Sequence, residues 1–120
     1  MADGVVSGPG EGEALRSERT RRVALAKAAL PHLSVFEFTI EGPFEGPEPH
    51  THNETDCFYV LEGELDFLVD GETIRGGPGT LVAAPPGVVH TFGKSDPGTA
   101  RFLNIHASGG FEHLLRRESD

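Results

Sequence analysis

The stretch GPEPHTHNETDCFYVLEG, residues 46–63, sets two histidines one residue apart, follows them with an acid, and closes a run of aromatic and β-branched residues at a glycine. In an extended chain residues i and i+2 point to one face. His50, His52 and Asp56 share that parity, so the two imidazoles can aim at one point while the carboxylate follows at the start of a strand. Cys57 takes the opposite face from Asp56 and reads as packing rather than as a nucleophile. A lone His-x-His beside prolines is also what a polar surface loop contains. A second stretch, GTLVAAPPGVVHTF at residues 79–92, adds His90 at the end of a turn that runs back into a strand. Three imidazoles and a carboxylate on two neighbouring hairpins make a mixed nitrogen and oxygen site. Such a site suits Fe, Mn, Ni, Co, Cu or Zn and leaves coordination positions open. Glu54 shares the parity of Asp56 and is the alternative carboxylate.

Outward from these stretches the chain alternates. In SVFEFTI, residues 34–40, Phe36, Phe38 and Ile40 fall on one face and Glu37 and Thr39 on the other, the pattern of a half-buried strand. CFYVL, LDFLV, TIR, TLVAA, VVHTF and RFLNIHA follow as short strands, punctuated by Glu62-Gly63, Asp70-Gly71, Gly76–Gly79 and Pro85-Pro86-Gly87. Residues 14–30 fit either helix by composition or strand by alternation, and a strand from about residue 21 is the preferred reading. The arginines at 16, 19, 21 and 22 read as a solvated face or as internal ion pairing in an otherwise acidic chain. Residues 1–13 are rich in Gly and acid with no apolar period, and are expected to form a flexible arm. Residues 14–120 then make a single domain, which ends in a short amphipathic helix carrying Phe111, Leu114 and Leu115.

Composition agrees with an all-β body. Gly and Pro together supply 25 of 120 residues (16 and 9), spreading turn signals along the whole length. A net charge of −9 makes nucleic acid and anionic membrane poor partners. No apolar run approaches a membrane span, the single cysteine asks for no oxidising compartment, and the first residues lack a signal-peptide pattern. A cytoplasmic location is the expectation.

Taken together, the two stretches resemble the cupin family. Its first motif runs G, five residues, HxH, three or four residues, E, six residues, G. His50, His52, Asp56 and Gly63 fall on that frame, with Asp for the usual Glu, and with Phe44 at the expected first glycine between Gly42 and Gly46. The second motif, G, five residues, PxG, two residues, H, three residues, N, matches Gly79, Pro85, Gly87 and His90, with Lys94 in place of the closing Asn. The motifs centre on residues 46–63 and 79–94, and the resemblance covers roughly residues 34–106. It implies a jelly-roll β-barrel of six to eight strands, commonly a homodimer, with a metal in the barrel mouth.

On that frame Phe36, Phe38, Ile40, Phe58, Val60, Phe67, Val69 and Phe92 are pocket walls or simple barrel filling, and His106 is an inward partner of the metal ligands or an ordinary strand-end residue. An apolar pocket with one metal-bearing end suits a small aromatic or chelating oxygenated substrate. The expected activity is that of a dioxygenase of the quercetin dioxygenase type, with Asp56 as general base. The alternatives are a non-redox metal-dependent cyclase or isomerase of polyketide or sugar type, and a small-molecule binding or sensing module.

Overall fold

A computed structural model describes residues 4–18 and 20–119; Met1–Asp3 of the expected arm, Arg19 of the arginine group, and Asp120 lie outside the described residues. The described residues fold as nine strands and one short helix. The preferred strand near residue 21 is β2 (Arg22–Leu30), and the ambiguous stretch before it also holds β1 (Glu13–Ser17). Then come β3 (Leu33–Glu41), β4 (Thr55–Glu62), β5 (Leu65–Val69), β6 (Glu72–Gly76), β7 (Leu81–Ala84), β8 (His90–Gly93), β9 (Thr99–Ala107) and α1 (Phe111–Arg117).

The strands form two antiparallel sheets, ordered β1-β2-β3-β9-β4-β7 and β6-β5-β8. This is the jelly-roll class, but the two sheets are not joined into a closed barrel by backbone pairing, and the strands number nine rather than six to eight. The sheets are held instead by aromatic packing across the gap. Phe58 of β4 meets Phe67 of β5 at 5.3 Å and Phe92 of β8 at 5.1 Å, and Phe92 meets Phe102 of β9 edge-on at 5.5 Å. Offset and edge-on pairs of this kind add to the burial of apolar area. Removing one such ring costs about 3–5 kcal/mol in a packed interior.

Alternation decides the rest. Along β4 the inward residues Asp56, Phe58 and Val60 are buried whereas Tyr59 is exposed. Along β9 the inward set is Ala100, Phe102, Asn104 and His106. The β5–β6 hairpin turns on Asp70 and Gly71, both at positive φ (48° and 83°), as a two-residue turn compatible with strand twist requires. Near the N-terminus, Lys27 Nζ donates to the carbonyls of Gly8 (2.6 Å) and Glu11 (2.8 Å), tying the 8–11 turn to β2.

Helix α1 follows Gly109 and Gly110 and lies across one end of the sheets. Its Phe111 packs edge-on to Phe36 at 5.7 Å, and Leu115 is buried. Leu114, expected on the packed face, is exposed by 39 %. No helix among the described residues is long and apolar enough to cross a membrane.

Candidate metal centre

The segment between β3 and β4 runs antiparallel beside β8 through two isolated pairs. Phe44 and Lys94 exchange backbone hydrogen bonds, each at 2.8 Å; His50 N donates to His90 O at 3.1 Å, and His90 N returns a bond to His50 O at 2.9 Å. Such a pairing needs close backbone approach. A Cβ at Gly46 would stand 1.6 Å from the Phe92 carbonyl oxygen, so only glycine fits there. The turn carrying His90 is tied to the other histidine as well, because Gly87 N donates to His52 O at 3.0 Å.

These constraints bring the three predicted imidazoles together. One ring nitrogen from each of His50, His52 and His90 lies within 4.8 Å of the others. Each Nδ1 faces a backbone carbonyl: Glu48 O at 2.9 Å for His50, Glu54 O at 3.0 Å for His52, and Val88 O at 2.9 Å for His90. A carbonyl only accepts, so Nδ1 donates in each ring, which leaves Nε2 as the nitrogen that a metal would take. That is the tautomer in which imidazole binds a metal, and the orienting carbonyls are the usual outer partners of such ligands. His52 Nε2 is buried with no hydrogen-bond partner. His90 Nε2 lies 3.1 Å from Asp56 Oδ2, with both residues buried. A metal ion held by these nitrogens would have the Asp56 carboxylate beside it. The donor set therefore fits a divalent transition metal.

Asp56 stands at the centre of the buried polar network rather than in the three-histidine group. It belongs to a second set of potential ligands with His52 and His106. Its Oδ1 accepts from Asn104 Nδ2 at 2.6 Å and lies 3.3 Å from His106 Nε2; its Oδ2 faces His90 at 3.1 Å and His52 at 3.8 Å. The Glu54 carboxylate turns instead toward His106, with Oε2 3.6 Å from its Nδ1. His106 itself points inward, is 2 % exposed, and stacks face to face on Phe111 at 4.0 Å. Burial pushes the His106 pKa below the ordinary imidazole value; nearby Asp56 opposes this, His52 adds to it, and Glu54 opposes it. The Cys57 thiol is pushed up, by burial first and then by Asp56, which leaves it protonated and unreactive at neutral pH.

A cavity of about 620 Å³ opens over this cluster. Phe38, Phe58 and Phe92 line it, together with Phe44 and Phe111; Phe36 and Phe67 do not, being packed into the core at 0 % and 1 % exposure. Residues absent from the sequence reading also belong here. Asn104 carries a signal in its parity, a polar residue between Phe102 and His106 on the inward face of β9. Arg22, read as part of a solvated face or of internal ion pairing, lines the cavity and pairs with Glu118 Oε1 at 3.7 Å.

Comparison with known proteins places this geometry. The family pattern described as "Cupin domain" matches residues 36–106. Quercetin 2,3-dioxygenase of Bacillus subtilis is 30% identical over 82 residues, which is 63% of this chain and 24% of that protein, so the chain spans about a quarter of the relative's length. Among solved structures, KdgF from Halomonas sp. superposes with a TM-score of 0.79 at 19% identity, covering 93% of this chain and 100% of that one. The polyketide cyclase RemF from Streptomyces resistomycificus gives 0.65 at 23% identity over 89% and 80%. With its family pattern spanning both histidine stretches and its fold shared with these proteins, the chain belongs to the cupin family.

Proposed function

We propose that this cupin is a metal-dependent, dioxygenase-like enzyme acting on a small aromatic or chelating oxygenated substrate, with His50, His52 and His90 as metal ligands. The observation that carries the reading is the convergence of the three rings, each with Nδ1 facing a backbone carbonyl and one ring nitrogen of each within 4.8 Å of the others. A redox-active divalent metal there would hold and acidify a substrate hydroxyl and couple the substrate to dioxygen.

The chain's own residues do the remainder. Phe38, Phe58 and Phe92 receive a planar ring against the sheets, exclude water from the cluster, and leave the substrate oxygens facing the histidines. Asp56 accepts the substrate proton on Oδ2, the oxygen directed at His90 and His52, while Asn104 holds Oδ1 and fixes the carboxylate's orientation. His106, kept neutral by burial, supports the other side of that carboxylate. We place the protein in the cytoplasm as a homodimer; Tyr59 and Leu81, paired across β4 and β7 and exposed by 39 % and 63 %, offer an apolar outer face for a second copy.

Elemental analysis of protein purified without chelator, for the wild type and the His50→Ala/His90→Ala double variant, tests the reading. Near-stoichiometric Fe, Mn, Ni, Co or Cu that the double variant loses, followed by oxygen uptake with flavonols or catechols, is the expected result. Stoichiometric Zn without oxygen uptake would move the function to metal-assisted cyclisation or isomerisation. Wild type that neither carries nor accepts a metal would overturn both and leave a binding module.

A further inference from the structure

We infer that His106 forms, with His52 and Asp56, a second place for the metal ion, and that one ion occupies this place and the three-histidine place in alternation. The inference rests on the reading of the cluster as a metal centre. His106 lies outside both histidine stretches of the sequence, on β9, where the register sets it opposite Asp56 of β4. One ligand atom from each of His52, Asp56 and His106 lies within 4.8 Å of the others, and all three residues line the cavity, so an ion can reach them. The His106 ring is 2% exposed and already held in place, stacked face to face on Phe111 at 4.0 Å. Its Nε2 stands 3.3 Å from Asp56 Oδ1. Its Nδ1 is buried with no hydrogen-bond partner, and so is His52 Nε2. Buried polar atoms left without a hydrogen bond call for an explanation, and a bound ion is one.

His52 makes the two places exclusive. Its Nδ1 faces the Glu54 carbonyl at 3.0 Å, which leaves Nε2 as the nitrogen that a metal would take, and one nitrogen lone pair binds one ion. An ion held by His52, Asp56 and His106 therefore gives up His50 and His90. On His106 the nitrogen on the Asp56 side is Nε2. Binding there makes Nδ1 the donor, and Glu54 Oε2, 3.6 Å away, is placed to accept from it as the outer carboxylate partner of a metal-bound imidazole. The two places also differ in chemistry. The first offers three neutral imidazoles, two of them half-buried; the second has a carboxylate among its donors, and two of its three residues are buried. A carboxylate suits harder ions such as Mn, whereas imidazoles suit Zn, Cu and Ni. An ion in the second place takes up the Asp56 carboxylate, which then cannot accept a substrate proton. The position of the ion thus decides whether Asp56 is free to act as a base.

The test is Zn titration of the full chain with nitrogen-15 in its histidine rings, read by NMR of the ring nitrogens, each ring assigned by the signal that its own substitution removes. In the wild type with equimolar Zn, the His52 nitrogens should shift fully, while His106 on one side and His50 with His90 on the other shift in part. His106→Gln should then raise the His50 and His90 shifts. The His50→Ala/His90→Ala variant lacks the three-histidine place and should lose its ion during purification, yet saturating Zn should still shift His52 and His106 together. Adding His106→Gln to that variant should abolish the His52 shift. A His106 ring that saturating Zn leaves unmoved in the double variant would overturn the second place while leaving the three-histidine centre. If the double variant does not fold, His106→Gln in the otherwise wild-type chain decides, because unchanged His50 and His90 shifts would overturn the second place in the same way. A wild type whose histidine signals Zn leaves unmoved would overturn both places.

Discussion

Asn104 Nδ2 donates to Asp56 Oδ1 at 2.6 Å and to the Cys57 carbonyl at 3.1 Å, clamping the carboxylate from the next strand at a register where Asn104 sits opposite Phe58. The clamp orients Oδ2 toward His90 and His52. In Asn104→Leu, which keeps the branched side-chain shape but removes the amide, Asp56 loses that donor and can rotate. Metal affinity should fall about 10- to 100-fold, the usual effect of removing an outer partner of a metal site. Zn titration against a competing chelator measures it, with circular dichroism as the check on folding. An unchanged affinity would remove Asn104 from the site.

The approach of the site segment to β8 depends on Gly46. In Gly46→Ala the new methyl would meet the Phe92 carbonyl oxygen, which is backbone and cannot swing aside. The segment must move off β8, opening the His50–His90 pair two residues before His52. Stability should fall by about 1–3 kcal/mol, as for overpacking elsewhere, and metal affinity should fall with it. Denaturant unfolding and the same Zn titration read the two losses. A variant that binds metal normally would show that the pairing does not position the histidines.

Lys94 is a buried amine at the far end of the same segment. Its Nζ donates to the Gly42 carbonyl at 3.1 Å and to the Asp96 carbonyl, and lies 3.8 Å from Asp96 Oδ1, closing the entry and the exit of the paired stretch in one contact. Here it takes the position of the asparagine that ends the family's second motif. Lys94→Met should cost about 1–3 kcal/mol, because it takes the donor from two part-buried carbonyls, without removing any group from the metal cluster. Urea unfolding should show the loss while metal stoichiometry holds; a large loss of metal would mean the clamp governs the site as well as the fold.

How far the sequence leads differs by element. Strand parity and turn residues located the β3 to β9 segments, since each carries a period-two pattern bounded by Gly or Pro, and the even positions of His50, His52 and Asp56 led to their common cavity. Length and parity could not resolve β1, because ALRS is equally suited to a helix until β2 supplies its partner. Nor could they place Asp56, whose position depends on the Asn104 amide 48 residues away. For the same reason parity could not decide between a solvated face and internal ion pairing for Arg22, which the structure shows paired with Glu118. Its neighbours Arg16 and Arg21 are exposed, and only the packing of α1 across the cavity turns a surface pattern into a buried guanidinium. Phe36 and Phe67 show the converse, apolar residues of the right parity that the opposing rings bury completely.

Helix α1 covers the cavity through a polar latch, and the latch is pH-dependent. Ser34 Oγ donates to Glu112 Oε1 at 2.7 Å in a buried contact and accepts from Gly110 N at 3.1 Å. Burial alone would raise the Glu112 pKa; the Ser34 hydroxyl, the backbone amides of Glu112 and Gly110, and nearby His113 outweigh it and hold the carboxyl below its ordinary value of 4.5. The folded state therefore binds its proton less readily than the unfolded chain. The resulting stabilisation is fully present above about pH 4.5 and is lost as the pH falls through the lowered folded value. At pH 7 Glu112→Gln should be less stable than wild type by about 1–2 kcal/mol, the scale of a hydrogen bond to a charged group. The gap should narrow as the pH drops below 4.5. Thermal unfolding of both proteins across pH 3–7 measures it. A gap that stays constant over that range would mean the carboxylate's charge does not hold the helix, and Ser34→Ala would then show whether the hydroxyl alone does.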